Sequence, residues 1–221
     1  MNEFMDMFSS SDPSAVSTSV KLLLLLTVLS LAPSILILMT SFTRIIIVLS
    51  FVRTSLATQQ MPPNQVLIGL ALFLTFFIMA PTFGDVYNDA LQPLFAEEIT
   101  LDEAYDRASA PVKGFMAKHT RQKDLALFMN YTNGDKPETL EDIPLTTLVP
   151  AFAISELKTA FQMGFMIFIP FLVIDMAVAS VLMSMGMMML PPVMISLPFK
   201  ILLFVLVDGW YLITHSLLSG F

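Results

Sequence analysis

An all-α membrane protein is the fold class that this sequence predicts, and two observations predict it. The chain is too apolar for a water-soluble domain, and its long apolar runs are separated by one acidic, polar block. Of its 221 residues 56% are hydrophobic and 13% charged, with a mean hydropathy of +0.77, where a soluble domain carries roughly 25% charged residues. The net charge of -7 is concentrated in the first dozen residues and in the middle of the chain, which argues against a nucleic-acid partner. Cysteine is absent, so disulfides, thiol catalysis and thiolate metal sites are all excluded. The two histidines, His119 and His215, are too far apart in sequence to suggest an ordinary metal cluster. No nucleotide-binding or hydrolase motif occurs. The sequence therefore predicts neither an enzyme nor a cofactor.

The first nineteen residues form a tail carrying Glu3, Asp6 and Asp12 with no basic region, unlike a usual signal peptide. Val20 to Met39 is the first apolar run, long enough at about 1.5 Å per residue to cross a hydrocarbon layer of about 30 Å. Pro33 is expected to kink it, a defect that neighbouring helices can offset. Ile45 to Val52 is too short to span alone, and its flanking Arg44 and Arg53 place the loop on the inner side of a membrane. Nine residues apart, these arginines fall on opposite faces of a helix, so at most one can point at a given partner. Asn64 to Ala80 is the second span, started by Pro62 and Pro63 and expected to stop at Pro81. This first hydrophobic pair covers residues 20–81.

Residues 82–149 carry twelve acids against six bases and read as a helical block outside the membrane. Thr100 with Glu103 is a capping box, Pro111 is placed to open a fresh helix, and the stretch from Asn130 to Pro137 has turn chemistry. His119 is expected to be an ordinary solvated residue. Residues 150–221 form the second hydrophobic pair. Its first member, the third span, runs from Phe161 to Met183 and contains Asp175; the fourth opens at Pro198 and contains Lys200 and Asp208. Charges at such depth need a partner, a wet cavity or neutralisation. Asp175, Lys200, Asp208, Arg44 and Arg53 are thus candidates for buried pairing or subunit packing, with the pairs unassigned. Between the two spans lies MSMGMMMLPP (Met183 to Pro192), and nine of the seventeen methionines fall between Met163 and Met194. Unbranched, polarizable thioethers make a deformable apolar surface. Such a loop suits either a lipid-facing turn or, if copies meet on an axis, a compliant seal. Four spans with the arginine loop inside put both termini and the acidic block outside and the methionine loop on the inner side.

PAFAISELKTAFQMGF (Pro150 to Phe165) and PFKILLFVLVDGW (Pro198 to Trp210) resemble the two signatures of the FliP/SctR family of type III export-gate proteins, and Thr40 to Phe83 and the methionine loop are similar too. The resemblance covers nearly the whole chain. It implies a pore-forming subunit of the flagellar protein export gate in the bacterial cytoplasmic membrane, at the centre of the basal body, passing unfolded flagellar subunits. It implies five copies assembled with FliQ and FliR, beside other export apparatus proteins and exported flagellar proteins. It also implies that the apolar helices fold as bent hairpins, which need not cross lipid in the usual way. Met187, Met188 and Met189 match the family's methionine ring, with Met185 beside them in the gate. Asp175 and Lys200 match positions important for subunit packing or gating. Two other readings use the same acids: an ion-coupled transporter with Asp175 and Asp208 as proton carriers, and an intramembrane aspartyl protease built on that pair. The first usually shows a repeat of spans and the second needs its carboxylates about 3 Å apart. No repeat and no glycine-flanked protease motif is present.

Overall fold

The computed structural model describes residues 23, 26, 27, 30–58, 60–131, 139, 142–187 and 189–221. Among them there is no strand, and helix dominates. The N-terminal tail, most of the first half of the first apolar run, most of the turn from Asn130 to Pro137, and Met188 lie outside the described residues. The chain divides into two units, residues 1–37 and 38–221. In the first, the helix α1 (Ser30–Met39) begins and passes through Pro33, with Leu31, Ile35 and Ile37 exposed.

The second unit is organised around α2 (Phe42–Ser55), the segment whose sequence reads as a short inner loop. It is instead an interior helix. Arg44, Ile45, Val48, Leu49, Val52 and Ser55 are buried, a spacing of three and four residues that makes one continuous stripe. The expectation of a loop rested on the flanking arginines and on length, because the apolar run from Ile45 to Val52 cannot cross a membrane unaided; packed inside other helices, α2 has no need to. It lies against α3 (Asn64–Val86) and against α6 (Leu145–Ser184). Gly164 makes the α2–α6 approach possible, since a Cβ there would stand 2.4 Å from the Phe51 ring. Phe161, one turn earlier on α6, meets the same ring edge to face at 5.4 Å.

Prolines mark fewer boundaries than the sequence suggests. Pro63 does precede α3, but Pro81 lies within it, and the helix continues through a π-helical turn (Tyr87–Leu91) and a short α-turn (Gln92–Phe95). Likewise Pro111 falls inside α4 (Leu101–His119) and starts nothing. A proline forfeits one backbone hydrogen bond and crowds the preceding turn, a local cost that long packed helices absorb. The predicted capping box is present: Glu103 N–H donates to Thr100 Oγ1 at 3.3 Å and Thr100 N–H to Glu103 Oε2 at 2.9 Å.

Helix α5 (Gln122–Met129) and α4 pack on the first turns of α6, around a small cluster of Met116, Ile143, Leu148 and Phe152. Helix α6 then runs forty residues, about 60 Å or twice a hydrocarbon layer. It includes Pro150 and Pro170 and crosses without a break the boundary expected between Val149 and Pro150. Two more helices, α7 (Pro192–Leu206) and α8 (Gly209–Ser219), complete the chain with a bend of 61° between them. The fourth apolar run thus begins six residues before Pro198, and it is broken at Asp208. By length and composition, two helices among the described residues are apolar enough to cross a membrane, or up to four if each bent pair counts as one span.

Candidate functional site

Two charged ties hold α2 in place, one at each end. At its start, Arg44 is 4% exposed and Glu156 of α6 fully buried. The first turn of a helix is an unfavourable place for a cation, because the aligned peptide dipoles are positive there. Arg44 answers this with every nitrogen of its guanidinium: Nε donates to Glu156 Oε2 at 2.8 Å, Nη2 to Glu156 Oε1, and Nη1 to the Gly220 carbonyl at 2.7 Å. That carbonyl belongs to the C-terminal end of α8, where a cation is favoured. The Phe221 ring closes the site, its centroid 3.8 Å from the guanidinium carbon. A planar fork that meets a carboxylate with two N–H groups is specific to arginine.

At the other end, Lys200 of α7 is 2% exposed. Its Nζ donates to Asp175 Oδ2 at 2.6 Å and to the Ser55 carbonyl at 3.2 Å. Ser55 is the last residue of α2, so the ammonium satisfies an otherwise orphaned carbonyl of that turn. Asp175 Oδ1 accepts a hydrogen bond from Ser196 Oγ. The structure therefore brings together Asp175 and Lys200, and brings Arg44 to an acid that the sequence did not single out. It leaves Arg53 and Asp208 apart from both ties. Arg53, on the opposite face of α2, donates through Nη1 to Asn64 Oδ1. Asp208 stands exposed at the break between α7 and α8, in the left-handed region at φ 50°.

The methionine loop is an exposed tip. Helix α6 ends on Gly186 at φ 74°, with Met187 N–H bonded to the Leu182 carbonyl and Gly186 N–H to the Met183 carbonyl, both at 3.0 Å. This is the Schellman closure, and it calls for glycine at the left-handed position. The one glycine in the methionine run thus ends the helix and turns the chain outward. Met183, Met185 and Met194 are exposed, Met187 is partly so, and Met189 is 99% exposed.

Glu156, Ser55, Ser196, Gly220 and Phe221 were missed by sequence reasoning. For Glu156 a signal existed, since it is the only acid between Asp142 and Asp175. The others act through backbone or small hydroxyl groups and carry none. His119 is not simply solvated. Its ring stacks near Phe115 and Phe221, with centroids 4.7 and 5.1 Å away, and Nδ1 is 2.8 Å from the Phe115 carbonyl. Nearby, Ser155 Oγ of α6 donates to Asp124 Oδ2 at 2.7 Å. Burial works against the Asp124 carboxylate, but Ser155 and Arg121 hold its pKa below the ordinary value. A groove of about 660 Å³ between α6 and the α7–α8 pair holds no titratable side chain in its lining. Among the described residues, no three His, Cys, Asp or Glu side chains are grouped to hold a metal ion.

Comparison with known proteins places these features in a family. The family model described as "FliP family" matches residues 25–217. The chain is 80% identical over 221 residues to the flagellar biosynthetic protein FliP of Bacillus subtilis, covering the whole of both. It is 57% identical to that of Caulobacter vibrioides, over 91% of this chain and 76% of the relative. With that of Aquifex aeolicus it shares 52% identity, over 92% of this chain and 86% of the relative. Identity at these levels over nearly the full length leaves one conclusion: the chain belongs to the FliP family.

Proposed function

We propose that this chain is a pore-forming core subunit of the flagellar type III protein export gate in the bacterial cytoplasmic membrane. Several copies, five by the family resemblance, surround a channel together with FliQ and FliR, and unfolded flagellar proteins pass through it. The observation that carries the proposal is the methionine tip. Met183, Met185 and Met189 are exposed apolar side chains at a turn closed by Gly186, on the end of a helix about 60 Å long. In a lone chain such a surface has no use in water; on a shared axis its flexible thioethers fill the lumen against ions and part for a polypeptide. The acidic block packs at the opposite end of α6, which supports a gate on the inner side with the acidic block and both termini outside. The relatives' name, flagellar biosynthetic protein, supports the apparatus in which this gate works.

The transporter reading has no observation of its own. The Asp175 carboxylate is engaged by Lys200 and Ser196, and Asp208 is in neither tie. Native mass spectrometry of the detergent-solubilised chain, expressed with and without FliQ and FliR, tests the proposal. A multi-copy ring joined by those partners at unequal stoichiometry is expected. A stable monomer or simple dimer that recruits neither would overturn it.

A further inference from the structure

The charges on the apolar helices sort into paired and unpaired ones. Arg44 is matched by Glu156 and Lys200 by Asp175. Lys158 lies beside Arg121, Lys123 and Asp124 at the acidic block, and Asp85 belongs to the polar end of α3; both are outside the apolar runs. Of the charges within the apolar runs, Arg53 and Asp208 have no ion partner among the described residues, and they have opposite sign. Arg53 uses one N–H on a neutral amide, Asn64, so donors of its guanidinium remain for an anion. Asp208 sits on the corner of the 61° bend. Around it Val205, Leu206, Val207 and Tyr211 are exposed, so whatever covers that apolar corner covers the carboxylate as well. Removing a short carboxylate from water without a cation is unfavourable, and Asp208 is too short to reach a distant interface.

We infer that Arg53 of one copy pairs with Asp208 of the next, so that these two side chains set the register of a head-to-tail contact between copies of this chain. The inference rests on the multi-copy reading above and adds the contact that builds it. A two-fold contact centred on either residue alone would oppose like charges. Where each contact uses Arg53 of one copy and Asp208 of the next, leaving the other member on each copy for a further neighbour, the contact is heterologous, the kind that generates rings or helical stacks rather than closed dimers. The left-handed backbone at Asp208, tolerated by aspartate better than by most residues, holds the carboxylate outward on the corner where a neighbour meets it.

The chain has no native cysteine, so disulfide trapping is clean. Arg53→Cys and Asp208→Cys chains, co-expressed and oxidised, should give a cross-linked dimer that neither variant forms alone. In parallel, Arg53→Asp and Asp208→Arg should each reduce the multi-copy species at least tenfold by native mass spectrometry, and the double swap in one chain should restore it. If the wild-type chain is multi-copy but the mixed cysteines do not cross-link, or the double swap behaves no better than the singles, the pairing is overturned and the gate reading stands. A wild-type chain that is monomeric overturns both.

Discussion

Arg44 and Glu156 stand 112 positions apart in sequence, yet they fix where α2 enters the core. Removing one member of a buried pair leaves the other charge uncompensated, at a cost of about 3–5 kcal/mol. Arg44→Met and Glu156→Met should each lower thermal stability in detergent by that order, while the double variant should lose less than either single. A double variant as unstable as the sum of the singles would contradict the tie. The same cycle applied to Asp175→Ala and Lys200→Ala should give a coupling of about 0.5–3 kcal/mol, and simple additivity would exclude a direct pair. At the methionine tip Gly186→Ala puts a Cβ on a left-handed residue, costing about 1–2 kcal/mol, so hydrogen exchange in the last turn of α6 should accelerate. An unchanged exchange rate would mean that the turn does not depend on that backbone conformation.

At the scale of elements, local signals were legible and long-range ones were not. The α4 capping box is written in four consecutive residues, Thr100 to Glu103, and it carries a pH dependence. The Thr100 N–H bond, then the Thr100 hydroxyl, hold the Glu103 pKa below its ordinary value. A depressed carboxylate contributes stability that is present above its unfolded pKa of about 4.3 and is lost as pH falls through the lower folded value. The protection factor at the first turn of α4, taken against the intrinsic exchange rate at each pH, should therefore fall below about pH 4.3, and Glu103→Gln should remove that dependence; a Gln variant with an unaltered profile would assign it to another group. The paired charges were visible only as individual misfits in apolar runs. Their partners include the carbonyls of Ser55 and Gly220, which no residue type announces. Reading Pro81 and Pro111 as boundaries failed for a related reason: proline weakens a helix locally, whereas α3 and α4 are held by what they pack against. The interior position of α2 was hidden because length decides whether a helix can span a membrane, not whether it can be enclosed by other helices.

Within residues 38–221 the two charge ties and the packed α2 hold α2, α6, α7 and α8 together, and the outer surface stays apolar. Phe73, Phe77, Phe165, Met166, Leu202 and Val205 are all exposed, more apolar surface than a soluble monomer tolerates. Lipid or neighbouring subunits must cover it. The proposed assembly does so while leaving the methionine tip free to face an axis. In the proposed gate this tip seals the channel. The most direct test of that seal is ion flux through assembled, reconstituted gates carrying the wild-type loop or Met187, Met188 and Met189 replaced together by alanine. The alanine gates should assemble normally and leak small ions severalfold faster, because shorter side chains no longer fill the lumen. Intact assembly with unchanged ion permeability would contradict it.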